Sequence, residues 1–425
     1  MPTRSARKKP TVFRQICELI PPHLVPVIAR KHEVRSRSFS PWSHLTSMLY
    51  AQFTHSLGLN DVCDALRANR SRVACIRGAT PPSRNGLSHA NKKRNSKMAE
   101  ELFWKMSDYL QSLQPRFGGT AFCKLPRRFK RTVYAIDSTT LKLFANCMDW
   151  AKHRRRKAAA KLHLNLNLQH FLPAFAVIDA AKGHDNTKAR ELCAHIQAGE
   201  ITVFDMAYID YKHLHDLDEC GVFWVSRVKS SMKLRCVKRQ IKTPNGHILR
   251  DDLVLIENRI KRADYPKRMR RIMARLEIDG KEVVMEFLTN NMEWAASSIC
   301  DLYKSRWGIE EFFKQIKQTL KLGSFLGHSR NAIEWQVWTA LLTYLLLRFL
   351  HACSEWSHSF TRLFTSLRAV LWQERNLYDY LRSYGTAGGS FRMQWAAHQA
   401  FLPGFHIKPP PTMGQHTALS KTGEG

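Results

Sequence analysis

Acidic residues are scarce in this chain. Only 35 Asp and Glu stand against 67 Lys and Arg in 425 residues, a formal net charge of +32. Such an excess is more than solubility needs, and it predicts a polyanionic partner, because every phosphate contact releases counterions and gains affinity. Nucleic acid is the first candidate and a membrane surface the second. Long hydrophobic runs are also missing. The most apolar stretch, Ala340 to Leu347, stops at Arg348 after about 8 residues, where about 20 are needed to cross a bilayer. The basic start MPTRSARKKPTVFRQ is not followed by an apolar core, so no secretory signal is expected. The ten cysteines include no CxxC pair. That argues against a zinc ribbon or a disulfide scaffold and for reduced, buried thiols in a cytoplasmic protein. There is no Gly-rich phosphate loop, no serine–histidine arrangement suggesting a nucleophilic hydrolase, and no internal repeat.

What is present belongs to a folded chain with a large core: 44% hydrophobic and 10% aromatic residues. Residues 1–125 read as helical. FSPWSHLTSMLYAQFTHSLG begins with Ser40 as a cap and Pro41 in the first turn, and Gly58 is placed to end it. Further helices are expected at 12–20, 60–68 and 89–113. The joining ATPPSRNGLSHANKKR is rich in turn residues and positive charge; it reads equally as a DNA-facing loop leading into a helix or as a solvated linker. Near residue 130 the pattern changes to α/β. RTVYAIDSTTLKL gives a strand ending in Asp137, KLHLNLNLQ a half-buried strand, and FLPAFAVIDAAKGHDN a third. A helix follows in TKARELCAHIQ, then a strand in ITVFDMAYID that reaches Asp205, a helix at about 210–219, and the strand VFWVSRV. Residues 229–284 read as a β-rich insertion with turns at PNG and at Asp279-Gly280. Helices return at 302–320, 331–353 and about 358–384. The end from 385 reads as poorly ordered.

The stretch LYKSRWGIEEFFKQIKQTL, 302–320, reads as one amphipathic helix. At 100° per residue, with Tyr303 at 0°, Arg306 falls at about 300°, Glu310 at about 340° and Lys317 at about 320°, one arc of about 60°. Glu311 falls at about 80°, off that arc, and reads as a surface residue. The polar stripe borders the apolar face instead of opposing it, where a solvated face would lie. It is either a structural salt-bridge stripe or a metal-ligating carboxylate flanked by phosphate-gripping cations. Asp137 and Asp205, each at a strand end, weigh toward the second. With Glu310 they supply three hard oxygen ligands, the type Mg²⁺ takes while keeping positions for water and phosphate. Two such ions can activate a nucleophile and steady the leaving oxygen in a displacement at phosphorus.

Tyr303, Arg306, Glu310 and Lys317 fit the spacing Y-(2)-R-(3)-E-(6)-K. Here the chain resembles bacterial insertion-sequence transposases of the insertion-sequence-four type, over about Thr132 to Leu350. The N-terminal part, with FRQICELIP and HANKKR, is similar more weakly to the uncharacterised helical domain that precedes some of them. The resemblance implies an α/β, RNase H-like mixed-sheet catalytic core with a β-rich insertion, preceded by an all-α domain. It implies a DDE triad of Asp137 (in AIDSTT), Asp205 (in FDMAYID) and Glu310. It also implies Mg²⁺ or Mn²⁺, two ions, as cofactor, and DNA contacts by Tyr303, Arg306 and Lys317. The implied activity is binding of terminal inverted repeats, strand cleavage and strand transfer on double-stranded DNA, by a cytoplasmic, nucleoid-associated homodimer with no membrane role. The implied divisions are 1–125, DNA-binding; 130–228 and 285–355, catalytic core; 229–284, insertion; and 356–425, helical segment and tail.

One departure from the family is Met206-Ala207, where relatives commonly carry a glycine; if that glycine relieves a strained turn, Ala207 shifts Asp205. Asp210 is the alternative second acid, ahead of Asp179 and Asp185. Arg127–Arg128 with Lys130–Arg131, His153 to Lys157, and Lys267 to Arg271 are the candidate non-catalytic DNA contacts, each also readable as a solvated face. Lys161 and His163 read as facing either the site or the surface.

Overall fold

The computed structural model describes residues 9–114, 117, 125–143, 147, 152–154, 157–180, 185–241, 246–278, 280–322, 325–354 and 356–384. Residues up to Arg382 form one compact unit. The N-terminal helices are α1 (Val12–Glu18), α2 (Leu24–Lys31), α3 (Pro41–Thr54), α4 (Leu59–Ala68), α5 (Arg70–Ala74), α6 (Arg84–Lys93) and α7 (Lys97–Leu113). Side chains accepting backbone N–H groups fix several starts: Thr11 for α1, Ser40 for α3 with Pro41 in its first turn, and Ser83 for α6. α3 ends at His55, in the left-handed conformation at φ 56°, and not at Gly58. The His55 ring holds that turn by stacking on Phe364 and bonding the Thr319 carbonyl at 2.9 Å. The expected helix 89–113 is two helices. The Arg94 carbonyl between them accepts from Asn331 and Trp335, and the Ser96 N–H donates to Asn331.

The sheet has ten strands: β1 (Val133–Leu143), β2 (Lys152–Arg154), β3 (Lys157–Asn167), β4 (Leu172–Ala180), β5 (Ile201–Phe204), β6 (Phe223–Arg227), β7 (Leu234–Arg239), β8 (Ile248–Ile256), β9 (Met269–Ile278) and β10 (Lys281–Thr289). Their order is β2-β3-β1-β5-β6-β10-β9-β8-β7, with β4 also on β3. β5 and β6 run parallel to β1, whereas β3 is antiparallel to it. The strands after residue 229 continue the same sheet, because β10 pairs antiparallel with β6. Gly280 makes the β9–β10 turn at φ 75°; Asp279, and residues 242–245 with most of the PNG turn, lie outside the described residues, as does the end from 385.

Between and beyond the strands come α8 (Asp185–Cys193), α9 (Tyr211–Glu219), α10 (Arg259–Asp264), α11 (Ala296–Ser305), α12 (Trp307–Lys314), α13 (Arg330–Cys353), α14 (Phe360–Ala369) and α15 (Leu377–Ser383). Alternation along β1 separates two faces. Tyr134 and Ile136 join a core with Leu192, Phe204, Leu214 and Trp224, which covers one face with α8 and α9. α11 and α12 pack on the other, where Asp137 and Thr139 point. α13 is apolar nearly all round, as a helix must be when neighbours surround it. It packs against α3, α6, α7 and α14, joining the N-terminal helices to the sheet-bearing half. The long segment expected at 358–384 is interrupted between Ala369 and Leu377.

Candidate active site

The two aspartates are brought together by strand register. β1 and β5 run parallel with Ile136 opposite Phe204, so Asp137 and Asp205 follow side by side. β1 itself continues to Leu143, so Asp137 sits where β5 stops pairing and not at its own strand's end. After Asp205 the chain enters a short 3₁₀ turn, Met206–Tyr208. Neither Met206 nor Ala207 has a positive φ, so Ala207 costs the turn nothing that glycine would relieve.

The expected single helix 302–320 is broken twice. Arg306 caps α11 and starts α12 through i to i−3 bonds, Arg306 N–H to Tyr303 at 3.1 Å and Ile309 N–H to Arg306 at 3.0 Å. A π-helical turn spans Gln315–Thr319, a widening that marks functional segments in other helices. Gly308 is a close-approach position: a Cβ there would lie 3.1 Å from Leu168 Cδ2.

The four signature residues still share one side. Arg306 donates from one nitrogen to Asp137 Oδ2 at 2.9 Å and from the other to Glu310 Oε1 at 2.7 Å. The Tyr303 hydroxyl donates to Asp205 Oδ1 at 3.3 Å, and Lys317 donates to the Thr139 hydroxyl at 3.0 Å. Arg306 also lies 5.6 Å above the Tyr303 ring, and its buried Nε has no hydrogen-bond partner among the described residues. Burial is graded: Tyr303 and Arg306 are buried, Asp137 and Asp205 intermediate, Glu310 and Lys317 exposed.

Burial pushes the Asp137 carboxyl up to about 6; Arg306 and the Ser138 N–H pull it down, while the charges of Asp205 and Glu310 push it up again. Burial raises the Tyr303 hydroxyl to about 12. The three carboxylates are therefore electrostatic neighbours, with a guanidinium between two of them. Among the described residues, no three carboxylate, His or Cys groups stand close enough to hold an ion as they are. The donor set nonetheless fits a divalent cation: three hard oxygens, mutual repulsion at Asp137, and a positive charge already required there.

Glu311 is off this face, as its angle required, but it is half-buried and not a surface group; its charge bears on buried Arg348 and Tyr344. Asp210 caps α9 by accepting from the His213 N–H at 2.9 Å, and Asp179 pairs with Lys188 at 3.4 Å. Asp185 begins α8, and its side chain lies outside the described residues. His163 is opposite Ser138, buried on the other face near the Tyr208 hydroxyl; Lys161 is opposite Thr140 on that same face. The sequence reading missed Thr139, the acceptor for Lys317, and Arg227, which follows Ser226 opposite Phe204 and whose charge reaches Tyr303. Period-two alternation from Asp137 would have found Thr139.

The basic cluster Lys267 to Arg271 is largely engaged internally. Arg270 is buried and forks onto Asp251 at 2.8 and 2.6 Å, Arg271 pairs with Asp252 at 2.9 Å, and Lys267 pairs with Asp218 and Glu219. Arg128 pairs with Asp301, and Arg131 holds the Gly199 carbonyl. The side chains of His153 to Lys157 lie outside the described residues. No helix among the described residues is long and apolar enough to cross a membrane.

The family described as "Transposase DDE domain" matches residues 128–346, and a "Domain of unknown function (DUF4372)" matches residues 8–76. Among relatives described as transposases, y4zB of Sinorhizobium fredii is 32% identical over 274 residues, 63% of this chain and 71% of the relative. That of insertion sequence element IS5377 from Geobacillus stearothermophilus is 27% identical, covering 61% of this chain and 70% of the relative. That of element IS4SA from Synechocystis is 23% identical, covering 70% and 80%. A solved piggyBac transposase synaptic complex with hairpin DNA aligns at a TM-score of 0.41 and 10% identity, over 89% of this chain and 86% of that one. The mixed sheet with its converging acids thus sits inside the matched region, and the chain belongs to the DDE transposases of bacterial insertion sequences.

Proposed function

We propose that Asp137, Asp205 and Glu310 are the catalytic triad of this transposase, acting on the ends of its own insertion sequence within an RNase H-like core. The observation that carries this is the convergence of all three acids with Tyr303, Arg306 and Lys317 on one face of the sheet. The strand order β4-β3-β1-β5-β6, with β1, β5 and β6 parallel, supports the RNase H-like reading. In this reading residues 1–125 bind DNA, 130–228 and 285–355 form the catalytic core, 229–284 is an insertion that lengthens the sheet, and 356–425 is an appended segment.

The three carboxylates would hold Mg²⁺ or Mn²⁺, two ions in the full site. Such ions supply charge stabilisation at phosphorus and a nucleophile at neutral pH. The chain's own part is positioning. Asp137 and Asp205 are fixed by register on adjacent strands, while Glu310 is brought in by α12. Tyr303, buried against Phe287 with its hydroxyl on Asp205, orients that carboxylate. Arg306 balances Asp137 and Glu310 in the DNA-free protein. With a cation held by the carboxylates, the Arg306 fork would be free to meet a DNA phosphate, the planar bidentate recognition to which guanidinium is suited. Lys317, exposed at the rim, contacts the backbone as a point charge. A homodimer on paired ends completes the reaction: strand cleavage, then attack of the freed 3′-hydroxyl on target DNA.

The test is a strand-transfer assay. Duplexes carrying the element's ends are incubated with target plasmid and Mg²⁺, using wild type and Glu310→Gln. Wild type is expected to cut and join, and the variant to bind without cutting. Cutting without joining would indicate a nuclease of the same core, and unchanged cutting by Glu310→Gln would remove that residue from the triad.

A further inference from the structure

We infer that α6 is a DNA-reading helix that enters the major groove of the duplex this transposase binds. α6 lies beyond the residues matched by the domain of unknown function. This inference deepens the end-binding reading above and rests on it.

The helix divides cleanly. Leu87, Ala90 and Asn91 are buried, whereas Arg84, Asn85, Ser88, His89, Lys92 and Lys93 are exposed. At 100° per residue the exposed six span one continuous half of the helix. They comprise three cations, an amide, a hydroxyl and an imidazole, and α6 has no acidic residue. Among the described residues, no hydrogen bond or ion pair ties any of the six down. That contrasts with Lys267, Arg270 and Arg271, which are paired internally. These are the residue types that read base edges and phosphates: amides to adenine, basic forks to guanine, lysines to backbone.

Position and shape agree with this chemistry. α6 stands as a ridge between two clefts of about 740 and 370 Å³. The larger is lined by Arg84, Ser88 and Lys92, and the smaller by His89, Lys93 and the exposed Arg35 and Arg37. A ten-residue helix is about 15 Å long and about 10–12 Å across, and the major groove is about 12 Å wide. A ridge of that size fills the groove, and the flanking clefts leave room for the two phosphate backbones. The seat is rigid. Asn91 bonds His44 at 2.7 Å, and Asn331 at the start of α13 bonds the Asn91 and Arg94 carbonyls at 2.8 and 2.6 Å. Reading by α6 is thereby tied to α13 and so to the catalytic half. Asn85, Ser88 and His89, in the first two turns of the exposed arc, face the bases; Lys92 and Lys93 in the last turn, with Arg35 and Arg37, face phosphates.

The experiment measures affinity by fluorescence anisotropy at several salt concentrations. The probes are a duplex with the terminal sequence bordering this gene and a scrambled duplex of the same composition. The proteins are wild type, Asn85→Ala with His89→Ala, and Lys92→Ala with Lys93→Ala; circular dichroism melts check folding. Asn85→Ala with His89→Ala should lower the end-to-scrambled affinity ratio about tenfold or more, with little change on scrambled DNA. Lys92→Ala with Lys93→Ala should weaken both probes alike and reduce the salt slope by about 2. Dimethyl sulfate footprinting should show guanine N7 protection that the first variant loses. A wild type that discriminates, with an Asn85→Ala/His89→Ala variant that discriminates equally, overturns the inference and leaves end binding standing. A wild type with no preference for the end duplex overturns end binding and the inference together.

Discussion

Among the described residues, Arg306 alone bonds two of the three acids, and Arg306→Ala removes both bonds. Stripping one partner from a buried ion pair costs about 3–5 kcal/mol. The Asp137 side chain keeps 22% exposure, which puts this pair at the lower end. The Glu310 side chain is 53% exposed, and its pair adds under about 1 kcal/mol. The expected loss for metal-free protein at pH 8 is therefore about 3 kcal/mol. Its pH dependence has a definite sign. Asp137 is raised from 3.8 to about 6, so in the wild type its ionisation costs stability as pH rises from about 4 to about 6 and no further above that, and Arg306 is the group that opposes the rise. Without Arg306 the carboxyl keeps its proton to higher pH. Below pH 6 it is neutral in both proteins and its share of the difference vanishes; above pH 6 the difference grows until the variant also ionises. Thermal melts and urea midpoints in EDTA from pH 5 to 8 should show a deficit that widens with pH. Arg306→Lys should recover part of it, restoring charge without the fork. A deficit constant across that range, or none at pH 8, would refute the assignment of Arg306 as the counter-charge of Asp137.

His44 is buried and bonded to Asn91, and burial lowers it to about 3 from 6.5, so the fold is stable above pH 6.5 and loses stability as pH falls toward 3. The loss is at most about 1.4 kcal/mol per pH unit, and His44→Gln should flatten that acid limb in melts between pH 7 and 4.5. A Cβ on Gly327 would lie 2.6 Å from the Ala332 Cβ at the start of α13. Gly327→Ala should therefore cost about 1–3 kcal/mol, measured by urea denaturation. Asp251→Ala strands the buried Arg270 fork and should cost about 3–5 kcal/mol; near-neutral stability would show that Arg270 finds water or another acceptor.

Much of the site was legible because it follows from period. Helical angle separates Glu310 from Glu311, and strand patterns point to both aspartates, which β1–β5 register places side by side. The break at Arg306 and the π turn at 315–319 were not legible. Both lie in tertiary contacts that one chain segment does not show: α12 close on Leu168 through Gly308, and the π turn against α13 and α14. Arg270 and Arg271 looked like DNA contacts because their partners, Asp251 and Asp252, meet them only across paired strands. His55 ending α3 depends on Phe364, more than 300 residues away in the chain. The joining segment 79–94 was open between a DNA-facing loop leading into a helix and a solvated linker; it contains α6, whose seat on Asn331 of α13 only the tertiary structure supplies.

The central claim, that Asp137, Asp205 and Glu310 form one metal site, is tested most directly by Mn²⁺ binding followed by electron paramagnetic resonance. Wild type, Asp137→Asn, Asp205→Asn and Glu310→Gln are titrated with and without end-bearing duplex. The account predicts saturable binding in wild type, tightened by the duplex and sharply weakened in each of the three variants. Binding that survives all three substitutions unchanged would contradict it.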